Sequence, residues 1–193
     1  MVVEVLLGGL AVGVLLASSR GRASGAPAGV SDAAQGGYYA PGSADLYALL
    51  LEGAARTGLP SSWAKSAAMH QLVDNESDGW IGRPNYTFGD VSDPSRLAEW
   101  PAIWAKLQTG WVPNKPDSSA TGLGQLLSRN AAVYYPDGLA GLGDPVNEAA
   151  GMLRYIADRY GSPEVALSVY GPGQFSYTHA ITGERRTKDH AGY

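Results

Sequence analysis

A chain of 193 residues with 14 Lys and Arg against 18 Asp and Glu, a formal net charge of −4 and 17% charged residues has room for one catalytic-sized domain with appendages. It lacks the basic field that would hold a nucleic acid, so no nucleic-acid partner is expected. The absence of cysteine removes disulfides, thiolate nucleophiles and thiolate metal sites but leaves the compartment open.

The first segment, VVEVLLGGLAVGVLLASS, is apolar apart from Glu4. As a helix, residues 1–19 would be roughly 28 Å long, close to the ~30 Å hydrocarbon core of a bilayer. Arg20 and Arg22 follow the apolar run instead of preceding it, which favours a retained transmembrane anchor over residues 1–22 rather than a cleaved signal peptide. Gly9 and Gly13 form a GxxxG pair that would let two anchors associate. Residues 23–43 are rich in Gly, Ala, Ser and Pro without apolar periodicity, and read as a flexible linker.

A helical pattern follows in SADLYALLLEGAARTG, with Ser43 as N-cap, Leu46, Leu49, Leu50 and Ala54 on one stripe and Gly58 as stop. The next helix is expected to start at Ser61 or Ser62, to carry Trp63, Ala67, His70 and Val73, and to end near Glu76, packed antiparallel on the first. Asp93 and Pro94 open another, running to about Gln108 with Leu97, Trp100, Ile103, Trp104 and Leu107 on its apolar side and Pro101 as a point of kinking or division. LGQLLSRNAAVYYPDG holds a short helix, DPVNEAAGMLRYIADRYG a longer one, and SPEVALSVYG the last. No repeat is visible and strand patterns are scarce, so the fold class is mainly α. Residues 177–193 read as a polar, loosely ordered tail.

Within VDNESDGW, Glu76 stands between Asp74 and Asp78. Like charges at that spacing raise each other's proton affinity, as does an apolar setting, and a carboxyl that keeps its proton near neutral pH is what a general acid requires. The bland reading of Asp74 and Asp78 is that of solvated surface charges. The three histidines, His70, His179 and His190, have no partner at the spacing of a helical metal motif, so neither a metal nor another cofactor is expected. His70 reads as a helix-face histidine, and Trp100 and Trp104, four apart, as core packing at least as readily as sugar platforms.

Four stretches occur in an order that resembles the successive motifs of soluble-type lytic transglycosylases and their lysozyme-like relatives: ES at 76–77, SSATGLGQL at 118–126, DPVNEAAGMLRY at 144–155 and ALSVYGPG at 166–173. The resemblance covers roughly Ala44 to Phe175 and implies a lysozyme-like helical domain over residues 44–176. It assigns the sole catalytic acid and base to Glu76, with Ser77 beside it as a substrate-binding residue. Glu76 would protonate the glycosidic oxygen between two amino sugars of peptidoglycan and then take the proton of the sugar's own 6-hydroxyl, closing a 1,6-anhydro ring without water. GLGQ is similar to the family's Gly-Leu-Met-Gln, with Gly124 in place of methionine. On that likeness Gly122, Leu123, Gly124 and Gln125 would line the glycan, the glycines allowing close backbone approach and Gln125 offering donor and acceptor. Tyr170 matches the tyrosine that contacts the catalytic carboxyl in the family's Ala-Tyr-Asn-x-Gly motif, although Gly171 follows where asparagine is usual.

Forty-five residues separate Glu76 from Gly122, and their aromatic residues, Tyr86, Phe88, Trp100, Trp104 and Trp111, would suit an extended glycan cleft, with Tyr86 and Trp111 in loops. A hydrolysing, goose-type muramidase is an alternative and would need a second carboxylate about 6.5–9.5 Å from the first, for which Asp90 and Asp93 are the candidates. A non-enzymatic alternative is an anchored structural protein of the virion with a glycan-binding groove. Basic residues after the anchor place the domain on the cytoplasmic side of an ordinary cell membrane, which conflicts with a wall substrate. A phage particle that delivers the enzyme at infection resolves the conflict, so the expected location is a virion membrane or the cell envelope.

Overall fold

The computed structural model describes residues 37–114 and 118–188, all within one compact unit. The anchor expected over residues 1–22, its self-association and most of the linker lie outside the described residues. Among the described residues, no helix is long and apolar enough to cross a membrane. The last residues of the stretch read as linker are held in place: the Tyr39 amide donates to Gly79 O and the Ile81 amide to Gly37 O, each at 2.9 Å, and Tyr38 packs against Trp80 with ring centroids 4.8 Å apart.

The domain is mainly helical. Helix α1 (Ala44–Thr57) begins where the Ser43 hydroxyl accepts the Leu46 amide and ends at Gly58 in the left-handed region, φ 71°. It buries the stripe Leu46, Leu49, Leu50 and Ala54. Its neighbour is α5 (Pro145–Arg159), and the two backbones approach so closely at Gly53 that a Cβ there would stand 3.0 Å from the Ala150 nitrogen. The helix expected from Ser61 divides at Ser66. Residues Ser61–Lys65 make a 3-10 turn, and Ser66, in extended conformation, caps α2 (Ala67–Ser77) by accepting the Met69 amide. The shift of start exposes Ala67 and buries Met69 and Leu72 instead. Helix α2 packs chiefly on α6 (Pro163–Ser168), while the contact expected between the second helix and α1 is made by its first part, Ser61–Lys65.

The aromatic-rich segment resolves into pieces. Two 3-10 stretches, Tyr86–Ser92 and Pro94–Glu99, precede α3 (Trp100–Gln108), with Pro101 in its first turn, where a missing amide costs nothing. Helix α4 (Ser128–Tyr134) packs on α5. Around these helices the core gathers Leu46, Leu50, Leu72, Trp100, Leu153 and Ile156, each essentially inaccessible.

Part of the stretch read as a loose tail is ordered. Strands β1 (Phe175–Thr178) and β2 (Arg185–Lys188) pair antiparallel, Phe175 opposite Lys188 and Thr178 opposite Arg185. His179 closes the turn by accepting the Ile181 and Thr182 amides through Nδ1, and Tyr177 rests on Tyr160 at 5.2 Å. The strand pattern is hidden in the sequence because β2 is three-quarters basic and only its last residue is buried.

Candidate active site

Glu76 is the next-to-last residue of α2, which ends at Asp78 with φ 55°. Its carboxyl is pushed up to about 7 by burial, against the opposing influence of the Lys188 ammonium and of a hydrogen bond with Tyr170. The flanking carboxylates are not the cause: Asp74 and Asp78 point to solvent. The expectation that three like charges hold the proton on Glu76 therefore gives way to simple desolvation. Tyr170 follows α6, and the packing of α6 on α2 brings its phenol back onto the end of α2, where it donates to Asn75 O at 3.3 Å and bonds with the Glu76 side chain. Burial first, and then the Glu76 charge, raise the Tyr170 phenol above its ordinary range, so it is a hydrogen-bond donor at any working pH. The two residues that the motif order associates are thus in contact.

Ser77 is fully buried, and its hydroxyl turns back to Val73 O at 3.4 Å rather than toward a cleft. Its carbonyl accepts from Arg83 Nη1 at 3.0 Å, while Arg83 Nε donates to Ser92 O. Arg83 links this end of α2 to the GLGQ turn, because its own carbonyl accepts both the Gly122 amide at 2.9 Å and Gln125 Nε2 at 2.8 Å. The segment around Pro84 forms a short bridge with Thr121, which in turn pairs with Leu126. Gln125 takes φ 45°, and its amide is engaged inside the protein: Nε2 also reaches Gly122 O, and Oε1 accepts from Asn85 Nδ2 at 3.1 Å. Leu123 lies in the core with no exposure, and Gly124 is buried in the same turn. The glycine-rich motif is therefore a structural corner beside the site, with Gln125 as its brace.

Sequence reasoning missed what holds that corner. Glu148, fully buried on α5, accepts the Gly82 amide at 2.9 Å and the Leu123 amide at 2.8 Å through one oxygen, and the Gly143 amide at 2.8 Å through the other. Three loops meet on one carboxyl. Burial raises it to about 7 even though each of those amides favours the charged form. Gly122 is where the side chain lies closest: at φ 83° a Cβ would stand 2.6 Å from the Glu148 carboxyl. The signal was present in that Glu148, Met152 and Tyr155 share a helical stripe, so a charge interrupts a buried face. Its place in the first turn of α5 made the acid look like an ordinary N-terminal charge. Lys188 was missed because it lies in the segment read as a loose tail.

The aromatic residues separate by burial. Trp100 and Trp104 are core, their indole N–H groups donating at 2.7 Å to Val91 O and Gly82 O respectively. Tyr86 is 80% exposed and Trp111 41%, and Trp111 has Phe88 beside it at 6.2 Å. Asp90 and Asp93 are exposed, Asp93 accepting the Ser95 amide. His70 ties the incoming chain to α2, accepting the Gly42 amide through Nδ1 and facing Ala64 O through Nε2. An open depression of about 560 Å³, lined by Asp158, Arg159, Tyr160, Tyr177, Arg186 and Lys188 among others, shares Tyr160 and Lys188 with the surroundings of Glu76.

Compared with protein-family models, curated proteins and solved structures, the chain gives no match. The chemistry of the site therefore rests on its own geometry.

Proposed function

We propose that the protein is a peptidoglycan lytic transglycosylase with a lysozyme-like domain, and that Glu76 is its acid and base. The observation that carries the reading is a carboxyl at about 7, partly accessible at a helix end and hydrogen-bonded to a phenol that keeps its own proton. Such a group is populated in both protonation states near neutral pH, which a one-carboxyl mechanism needs. In the first half, Glu76 gives its proton to the glycosidic oxygen as the C1–O bond breaks. In the second, its carboxylate removes the proton from the 6-hydroxyl of the same sugar, whose oxygen closes on C1. The proton returns to Glu76 and no water is consumed. Tyr170 steadies the carboxylate between the two steps by hydrogen bonding to it. Tyr86 and Trp111, the exposed aromatics of the long connection, supply stacking surface for sugar rings. The setting we propose is an anchored protein of a phage particle acting locally on the wall at infection.

Mass spectrometry of fragments released from purified peptidoglycan by the full chain, with Glu76→Gln in parallel, tests the activity. Fragments ending in anhydro sugar, lighter by one water and absent with Glu76→Gln, are expected. Reducing ends that depend on Asp90 or Asp93 would assign a hydrolase instead, and binding without fragments would leave a glycan-binding structural protein. Detection in purified particles tests the setting; presence in the host envelope alone would refute it.

A further inference from the structure

Lys188 is 2% exposed, the one buried lysine among the described residues. The hairpin register sets it opposite Phe175, with its ammonium 5.5 Å from that ring's centroid. From there Nζ donates to Val169 O at 2.7 Å and to Gly171 O at 2.9 Å. These are the carbonyls on either side of Tyr170, the residue whose phenol meets Glu76. An ammonium removed from water is costly unless a charge of opposite sign answers it, and carbonyl dipoles do so only in part. Among the described residues, a carboxylate whose charge acts on Lys188 is Glu76.

We propose, on the reading that Glu76 is the working carboxyl, that Lys188 is a positioning residue for it: the C-terminal hairpin delivers an ammonium that clamps the chain on both sides of Tyr170 and answers the charge of Glu76 when it is a carboxylate. Among the described residues, the other titratable groups facing Glu76 are phenols, Tyr155 of α5, Tyr160 just beyond it and Tyr170. All three are raised by burial and uncharged at neutral pH. On α2 itself, Asp74 and Asp78 face solvent. Among the described residues, Lys188 is thus the cation that acts against burial at this carboxyl. Gly171 has no side chain to hold this loop, and its carbonyl is held by a strand 17 residues further on. In the cycle proposed above, the ammonium stabilises the carboxylate that stands between the two proton transfers, which makes Glu76 the stronger acid in the first of them.

The test is a carbon-13 NMR titration of the Glu76 carboxyl in the full chain, assigned by its loss in Glu76→Gln, for wild type, Lys188→Met, Lys188→Gln and Lys188→Arg. Backbone amide shifts of residues 175–188 report whether the hairpin is intact. We expect the Glu76 midpoint to rise by about one pH unit in Lys188→Met, the size of effect a nearby opposite charge has on a carboxyl. The same rise in Lys188→Gln, which keeps a hydrogen-bond donor without the charge, and a return toward wild type in Lys188→Arg would support the role. An unchanged midpoint in both uncharged variants with the hairpin intact would overturn it. If the hairpin is lost in Lys188→Met, Lys188→Gln and Lys188→Arg decide: equal midpoints in those two refute the electrostatic role. Peptidoglycan cleavage is scored separately. A shifted midpoint without cleavage by wild type would keep the Lys188–Glu76 coupling and discard the transglycosylase, whereas cleavage with an unmoved midpoint would do the reverse.

Discussion

Replacing Glu148 addresses the best-defined polar cluster in the molecule, and its consequences follow from counting donors. In Glu148→Ala the amides of Gly82, Leu123 and Gly143, all on buried residues, lose their acceptor. At about 1–3 kcal/mol for each buried unsatisfied donor, with some recovery by relaxation, the expected loss is roughly 3–6 kcal/mol, against a total stability of about 5–15 kcal/mol for a domain. Glu148→Gln keeps one carbonyl oxygen for Gly82 and Leu123 but turns an NH₂ group toward the Gly143 amide, so about 1–3 kcal/mol is expected. The pH dependence separates the charged from the neutral reading. The carboxyl moves from its ordinary 4.5 when unfolded to about 7 when folded. Between those values the native state holds a proton that the unfolded chain has released, so this group's contribution is complete below about pH 4.5, declines as pH rises and is gone above about pH 7. At 1.36 kcal/mol per unit that decline amounts to about 3 kcal/mol. Urea unfolding followed by tryptophan fluorescence at several pH values from 4.5 to 8 should therefore show wild type losing about that much stability relative to Glu148→Gln, enough to close or reverse the gap between them. A gap that stays constant or widens with pH would refute the argument and mean that the three amides outweigh burial.

Two further expectations concern the same region and its surface. Gly122→Ala should destabilise by about 2 kcal/mol or more, since it combines a left-handed backbone with a methyl 2.6 Å from the Glu148 carboxyl. In the Glu148→Ala background part of that cost should disappear, and strict additivity in a double-mutant cycle would show that the clash is not the cause. Tyr86→Ala removes an 80% exposed side chain and should leave the urea midpoint unchanged while raising KM for glycan about fivefold, the equivalent of roughly 1 kcal/mol of stacking; an unchanged KM would remove Tyr86 from the substrate surface.

Helix-level features were legible where they are local. Ser43, Gly58, Asp144 and Pro163 act through hydrogen bonds and dihedral preferences spanning a few residues, and each marks a helix end where the pattern places it. The contact between Glu76 and Tyr170 was legible because motif order carries information about distant contacts that periodicity does not. The boundary at Ser66 was harder, because three serines compete as caps and only tertiary packing of Met69 and Leu72 decides among them. Gln125 illustrates a different limit. An amide can serve a ligand or its own chain with equal chemistry, and its bonds to Arg83 and Asn85 depend on a loop that returns from about 40 residues away. Glu148 left only a weak sign, a charge on a buried stripe, and Lys188 none: a charged residue is ordinarily solvated, and the fold is what reveals that three amides, or two carbonyls, have been arranged around it.

Two carboxyls at about 7 lie in one domain, and the proton affinity alone does not say which would perform the proposed chemistry. Access favours Glu76. Both oxygens of Glu148 are taken by backbone amides, and the side chain has no exposed surface, so no substrate oxygen can approach without dismantling the three loops. Glu76 ends a helix with part of its surface open and is held by a phenol and influenced by an ammonium, groups that can follow a change in its charge without moving the backbone. The two therefore divide the labour by position: one fixes the corner that Arg83 joins to the end of α2, and the other titrates at the rim where a glycan could reach it. Glu148→Gln should accordingly alter the pH dependence of stability, whereas Glu76→Gln should abolish product formation while leaving a folded domain.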